Sequence, residues 1–160
     1  MTTHYILLHL LLIVSLILPL SCQEQRRAPI KYLFPEGYIG WVRIDWKVPD
    51  APPLPVEDGY YIIKFPASGR IQTSSDLEYG WGKDQDYYYT DTSLRLLEST
   101  NFGEQGWVWA EGTTYLNDGK GNETEKYSRM FVGTREQFDK YGFKHTDAEG
   151  ELIFGPIKTP

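Results

Sequence analysis

The stretch YIGWVRIDWK, residues 38–47, alternates between two sets of side chains and decides the fold class. A period of two residues predicts a β-strand that buries one face and exposes the other to solvent. Trp41 and Arg43 belong to the set that also contains Asp45 and Lys47, so we expect them on the wetter face. The predicted core face carries Tyr38, Gly40, Val42, Ile44 and Trp46.

Further short strands are predicted on the C-terminal side of this segment. Residues 60–65 and 70–73 have strand composition, and Pro66 and Gly69 between them predict a tight turn, because Pro presets φ and Gly tolerates positive φ. The pattern therefore predicts a β-hairpin over residues 60–73. The other predicted strands are residues 87–90, 94–97, 107–111, 113–116, 127–132 and 152–154.

One short helix is predicted near the C-terminal end. Thr134 followed by Gln137 has the spacing of a capping box, and Gly142 lies where a helix often stops, so residues 135–141 are predicted to be helical. Many short strands, frequent turns and one helix are typical of a small antiparallel β-sandwich, transthyretin-like or related. The fold class is therefore mainly β.

Composition excludes several classes of function. Among 160 residues, 16 Lys and Arg stand against 22 Asp and Glu, and the net charge of −6 gives no attraction to nucleic acid. One cysteine is too few for a disulfide framework or a Cys-based zinc site. His145 is the only histidine after residue 21, and no G-x-S-x-G motif accompanies it. We therefore predict no cofactor, no metal site and no catalytic residue.

The front of the chain resembles an export signal. Residues 1–21 contain no Lys, Arg, Asp or Glu, and the apolar run from Ile6 to Leu20 is shorter than the roughly 20 residues that span a bilayer. Cys22 follows at once, as in a bacterial lipoprotein. We predict a signal peptide over 1–21, lipid attachment at Cys22, a tether over 22–31 and one domain over 32–160. The alternatives are a cleaved secretory signal and an uncleaved anchor.

Several short motifs occur in a fixed order between residues 32 and 97. They are YLFPEGYIG at 32–40, Ala51-Pro52, Glu57-Asp58-Gly59-Tyr60, Ser68-Gly69, Thr73-Ser74-Ser75, Tyr79-Gly80 and Tyr87-Tyr88-Tyr89. Together they resemble one known family, the bacterial domain-of-unknown-function family numbered 6843 (DUF6843), which is commonly met in predicted lipoproteins. The resemblance covers about residues 32–97, implies a lipid-anchored protein of the cell envelope, and implies no activity.

Aromatic residues are the main candidates for binding. Trp41 stands near Arg43, and Trp107 and Trp109 are two residues apart, which would place both on one face of a strand. Exposed aromatic side chains bind sugars or peptide segments. We therefore predict a non-catalytic role in which these four residues bind an envelope protein or a glycan. The alternative for the same residues is ordinary core packing, because strands are rich in aromatics.

An enzymatic alternative rests on carboxylates. Glu78, Asp84, Asp86 and Asp91 lie around the tyrosine run, and two facing acids about 5–10 Å apart could hydrolyse an envelope polymer. Spacing along the chain does not show which acids face each other. Asp84-x-Asp86 also lacks the rest of a twelve-residue calcium loop, so it predicts no calcium site.

Overall fold

The computed structural model describes residues 27–76, 80, 82–97 and 107–158, and it consists mostly of β-strands. The predicted mainly β fold with one short helix is confirmed. The elements in chain order are β1 (Ile30–Pro35), β2 (Gly40–Trp46), β3 (Val56–Glu57), β4 (Tyr60–Lys64), β5 (Arg70–Gln72), β6 (Gln85–Tyr89), β7 (Leu94–Leu96), β8 (Val108–Asn117), β9 (Glu123–Val132), α1 (Arg135–Tyr141), a 3₁₀ turn (Gly142–Lys144) and β10 (Gly155–Pro156).

Two sheets pack face to face around one core. The first sheet has the order β3-β4-β1-β6-β7, and the second has the order β10-β2-β9-β8, with β5 also paired to β2. Burial of apolar side chains between the sheets is the main stabilising force of such a sandwich. Both sheets contribute alternate residues to the core, and these include Ile30, Tyr32, Phe34, Val42, Ile44, Trp46, Ile63, Tyr88, Met130 and Val132.

The predicted β-hairpin over residues 60–73 is wrong, although its turn is present. The N–H of Gly69 donates to the carbonyl of Pro66, but β5 pairs in parallel with β2 in the second sheet. The strand β4 pairs with β1 on one edge and, at Tyr60 and Tyr61, with β3 on the other, so its antiparallel partner is β3 rather than β5. The pairs β1–β4 and β1–β6 are parallel too, and the sandwich is therefore mixed rather than purely antiparallel.

The N-terminal strand β1 has no counterpart in the sequence prediction. Ile30 and Lys31 lie in β1, although the sequence prediction assigns them to the tether, and Ile30 is buried. The N–H of Tyr61 donates to the carbonyl of Pro29, so the fold includes residues before β1 as well. Because β1 is the central strand of the first sheet, the segment just after the predicted signal organises half of the molecule.

The capping box and the helix that it begins are confirmed. The hydroxyl of Thr134 accepts from the N–H of Gln137 at 3.2 Å, and the Gln137 side chain accepts from the N–H of Thr134 at 2.7 Å. The helix α1 ends at Tyr141, before Gly142, as predicted. The two strands predicted over residues 107–111 and 113–116 form one strand, β8, which begins at Val108 and has an irregularity between Trp109 and Gly112.

A second, smaller apolar cluster lies on the outer face of the second sheet. Trp41 is completely buried there, and its indole N–H donates to the carbonyl of Gly142 at 2.9 Å. Phe131 and Phe138 pack against its ring at 5.7 and 6.4 Å. The expectation that Trp41 lies on a wet face is wrong, because α1 and the 3₁₀ turn cover this face of β2.

We predict that Trp41→Ala lowers the free energy of unfolding by about 3–5 kcal/mol, because it empties a fully buried site and orphans the carbonyl of Gly142. Urea denaturation followed by circular dichroism measures this loss. Leu116→Ala is the matched control, since Leu116 is an exposed residue of β8. Equal stability of the Trp41 variant and the control would contradict the packing role.

Candidate functional site

Arg27 and Asp84 join the segment before β1 to the segment before β6, and we call this pair the entry clasp. The Arg27 guanidinium meets the Asp84 carboxylate through two contacts, of which Nη1 to Oδ1 measures 2.8 Å. The same Oδ1 accepts from the N–H of Ile30 at 2.8 Å. A Cβ on Gly82 would lie 2.6 Å from Nη1 of Arg27, so a larger residue there would have to displace the side chains of the clasp. Two-pronged contacts of this kind are the strong form of an ion pair.

Asp86 lies two residues after the clasp, on the inner face of the sandwich. It is only 8% exposed, and its register partner in β1 is Tyr32, whose side chain shares the same face. Within the described ranges, the Asp86 carboxylate accepts no hydrogen bond. A carboxyl group whose charge is opposed by burial is a functional candidate.

The charge of Glu111, in β8 of the opposite sheet, also acts on Asp86. Burial, and next the charges of Glu111 and Asp84, raise the pKa of Asp86 to about 7. Burial, together with the Glu111 and Asp84 charges, also raises the pKa of Tyr32 well above its ordinary value. Asp86, Glu111, Tyr32 and the clasp therefore form one electrostatic unit, which we call the entry cluster.

The entry cluster has the chemistry of proton exchange and of hydrogen bonding to donors. A carboxyl group with a pKa near 7 is partly protonated at neutral pH and can give or take a proton. In the part of the chain that the structure describes, no group of three or more His, Cys, Asp or Glu is arranged to hold a metal ion. A crevice of about 10 Å³ beside Arg27, between Trp46 and Tyr61, has room for about one water molecule.

Sequence reasoning identified only part of this cluster. Asp84 and Asp86 belong to the acids singled out around the tyrosine run, whereas Asp91 lies exposed in the turn before β7 and Glu78 lies outside the described residues. Glu111 was missed, because only the packing of the two sheets brings it near Asp86. No local pattern around Glu111 could have indicated this.

The predicted binding residues are not gathered into one surface. The Arg43 side chain is engaged in ion pairs with Asp45, at 2.6 Å, and with Glu125, and its guanidinium lies 3.8 Å from the Tyr127 ring centre. Its charge therefore stabilises the outer face of the second sheet. A ligand-binding role for Arg43 stays a prediction.

Trp107 and Trp109 do not share a face, which corrects the sequence interpretation. Trp107 precedes β8 and packs edge-on against Tyr88 of the first sheet at 5.9 Å, so strand alternation does not govern it. Trp109 lies in β8 on the outer side, where it stacks on Phe138 at 5.9 Å and donates to the carbonyl of Gly133. Of the four predicted binding residues, only Trp41 and Trp109 belong to one cluster, because both rings pack against Phe138. Cys22 lies outside the described residues.

The motif tyrosines form internal hydrogen bonds. The hydroxyl of Tyr38 donates to the carbonyl of Trp41 at 2.9 Å, and the hydroxyl of Tyr88 donates to the carbonyl of Tyr38 at 2.8 Å. The hydroxyl of Tyr89 donates to the carbonyl of Phe65. These bonds connect strands of both sheets, which gives the tyrosine motifs a structural role.

The Thr-Ser-Ser motif has a similar role at the proline-rich connection. The hydroxyl of Thr73 donates to the carbonyl of Pro52 at 2.9 Å, and the Ser75 hydroxyl accepts from the N–H of Leu54 at 2.9 Å. Prolines lack the N–H that would tie this segment to a sheet, so side chains hold it instead.

Comparison with known families agrees with the motifs. Residues 26–141 match the family of unknown function DUF6843. The chain belongs to this family. The resemblance over residues 32–97 is thus confirmed, and the DUF6843 match extends in both directions, to the entry clasp at one end and through α1 at the other.

The DUF6843 fold of this chain is similar to the crystal structure of a "Putative Lipoprotein from Bacillus anthracis". The TM-score is 0.52, the sequence identity is 21%, and 82% of each chain is covered. At this identity the similarity concerns the fold alone. No functionally curated protein matches the chain.

We predict that Asp86→Asn changes how stability depends on pH. The folded state holds a proton on Asp86 up to about pH 7, whereas the unfolded chain releases it near pH 4, so the wild type loses stability as pH rises from 4 to 7. At about 1.4 kcal/mol per pKa unit, the loss reaches at most about 4 kcal/mol. Asn carries no charge and removes this loss.

Denaturant midpoints between pH 4.5 and 8 measure the effect. We expect the Asp86→Asn protein to gain stability relative to wild type as pH rises, and the exposed Asp91→Asn protein to follow wild type. A constant difference between the Asp86 variant and wild type across this pH range would mean that Asp86 has an ordinary pKa.

Proposed function

We propose that this DUF6843 protein is a lipoprotein of the cell envelope, anchored outside the cytoplasm through Cys22, whose β-sandwich has a non-catalytic binding or accessory role. The observation that supports the anchor is the position of Cys22, directly after an apolar run without charges and just before a folded domain. Its expected partners are the membrane, through the lipid, and an envelope protein or glycan.

The anchor would hold the domain close to the membrane. Arg27 is fixed to Asp84, and only five Cα–Cα steps separate it from Cys22. Five steps span at most about 18 Å. The entry cluster would therefore face the lipid head groups rather than the distant side of the envelope. Within the described ranges, no helix is long and apolar enough to cross a membrane.

The mass of the mature N-terminal peptide tests the anchor. We expect a Cys22 peptide that carries a diacylglyceryl group, and we expect Cys22→Ser to remove the protein from the membrane fraction. Ser21→Ala is the matched control, because a small residue before the cysteine is retained. An unmodified terminus near residue 22, with protein in the medium, would instead establish a secreted soluble binding domain.

One observation favours a second candidate function, a carboxylate-based hydrolase of envelope polymers. Asp86 combines burial with a pKa of about 7, which suits a general acid, and Asp84 beside it is held by Arg27. A pair of carboxyl groups with different environments is the arrangement that glycoside hydrolysis uses.

Incubation with purified peptidoglycan separates the two candidates. We expect neither wild type nor Asp86→Asn to release new reducing ends or peptides, because the proposed role is binding. Product release by wild type that Asp86→Asn abolishes would establish the hydrolase. A glycosidase of known activity is the positive control.

A further inference from the structure

Three arginines lie side by side on the outer face of the second sheet. In the strand register, Arg43 of β2 stands opposite Arg70 of β5 on one side and opposite Arg129 of β9 on the other. Arg43 follows Trp41 by two residues, so the three side chains share the outer face that Trp41 marks. We call Arg70, Arg43 and Arg129 the arginine row. Like charges on neighbouring strands destabilise a sheet unless other groups offset them.

One buried acid holds the first two arginines of the row. Oδ1 of Asp45 accepts from Nε of Arg43 at 2.6 Å, and Oδ2 accepts from Nε of Arg70 at 2.7 Å. Nη2 of Arg43 also contacts Glu125. Nη1 of Arg43 and both Nη atoms of Arg70 form no hydrogen bond within the described ranges. These donors therefore remain available to a ligand, although both side chains are already held in place.

Arg129 is the member of the row that has no acid beside it. Its guanidinium carbon lies over the Trp41 ring, 5.8 Å from the ring centre, and the side chain is partly buried. Among the residues that the structure describes, no group forms an ion pair or a hydrogen bond with this guanidinium. Five N–H donors are thus unused on a group whose planar fork suits an oxyanion.

The β8 side of the row is open. Gly112 is the register partner of Arg129 in β8, and a Cβ there would meet no atom of the described residues within 4 Å. The strand β8 is also the edge of the second sheet. A ligand can therefore approach Arg129 from this edge without displacing any side chain that the structure describes.

The charges and the spacing of the row favour a phosphate group. Its three arginines contact only two acids in the described part of the chain, Asp45 and Glu125, which leaves one positive charge in excess. Neighbouring strands are about 5 Å apart, so Arg43 and Arg129 present their donors from two positions. A carboxylate has two oxygens in one plane, whereas the tetrahedral oxygens of a phosphate can meet guanidiniums on two strands at once.

We propose that the arginine row binds a phosphate group of an envelope ligand, with Arg129 as the principal contact and with Arg43 and Arg70 as further donors. This inference rests on the proposed binding role and gives the chemical class of its ligand. It keeps Arg43 among the binding residues and adds two that the sequence did not indicate. It does not depend on the lipid anchor or on the entry cluster.

The test follows the arginine Nε–H signals of the full-length protein by NMR during titration at constant ionic strength. The probes are inorganic phosphate and glycerol 3-phosphate, up to about 0.1 M, well above the millimolar dissociation constant expected for a single small anion. We expect the Arg129 signal, assigned with Arg129→Lys, to shift and to saturate. Sodium chloride and sodium acetate are the ligand controls, and we expect smaller shifts from both.

Substitution of Arg129 should weaken binding, read from the Arg70 signal. We expect Arg129→Gln to raise the dissociation constant about tenfold or more, because hydrogen bonds to a charged group are lost, and Arg129→Lys to retain part of the affinity. Arg135→Gln is the matched control, since Arg135 also lies over a tryptophan, 5.4 Å from the Trp109 ring centre, but is paired with Asp139 at 2.9 Å. An unchanged indole N–H signal of Trp41 shows that each variant is folded.

Sedimentation with vesicles identifies the source of the phosphate. Binding to phosphatidylglycerol vesicles that Arg129→Gln abolishes would support a lipid head group as the ligand. Binding of glycerol 3-phosphate without sedimentation would support a phosphate on a soluble or polymeric ligand. Phosphatidylcholine vesicles, whose head groups carry no net charge, are the control for nonspecific adsorption.

Three results would overturn the proposal. Equal shifts with chloride would mean simple charge screening, tighter binding of acetate would mean a carboxylate site, and no saturable shift of Arg129 with any probe would mean that the row is structural. The Cys22→Ser chain should bind the probes as wild type does, so failure of the anchor and failure of this site are distinguishable.

Discussion

The double-sided burial of β2 is the constraint on which the rest of the structure depends. Its inner side chains fill the core between the sheets, and Trp41 on its outer side fills the cluster under α1. Its two edges pair with β9 and with both β5 and β10. The chain passes so close to Gly40 that a Cβ there would lie 2.2 Å from the Gly155 carbonyl oxygen. A strand enclosed in this way pairs with residues between 27 positions (Arg43 with Arg70) and 116 positions (Gly40 with Pro156) away in the chain.

The parallel pairing of β1 and β6 places the polar residues of the entry cluster. Parallel strands begin at the same edge of a sheet, so the segments that precede β1 and β6 bring Arg27 and Asp84 together. The same register sets Tyr32 beside Asp86 on the inner face. The sandwich thus keeps one ionisable group in a place where burial opposes its charge. Burial there opposes the ionisation of Asp86, and ionisation therefore lowers the stability of the fold.

Membership in DUF6843 describes the fold more than a site. The motif tyrosines, the Thr-Ser-Ser sequence and the glycines around them hold strands and loops in place through hydrogen bonds within the chain. Asp84 and Asp86 lie between two of these motifs, and Glu111 lies beyond them. This framework of hydrogen bonds is therefore separate from the entry cluster, which lies at one end of the sandwich. An anchor at Cys22 would turn that end toward the membrane.

Local sequence alone determined the features whose cause is local. The period of two in residues 38–47 decided β2 and its core face, and the pair Thr134 and Gln137 decided where α1 begins, because strand alternation and capping act over a few residues. The tertiary structure alone decided which strands pair, why Trp41 is buried, and why the charge of Glu111 acts on Asp86. Strand pairing depends on which strand edges are free, and burial depends on which segments cover each face of a sheet. Both are set by contacts between residues that are distant in sequence. Composition identified the aromatics and acids as the chemically interesting residues, but only packing showed that Trp41 and Asp86 are both buried.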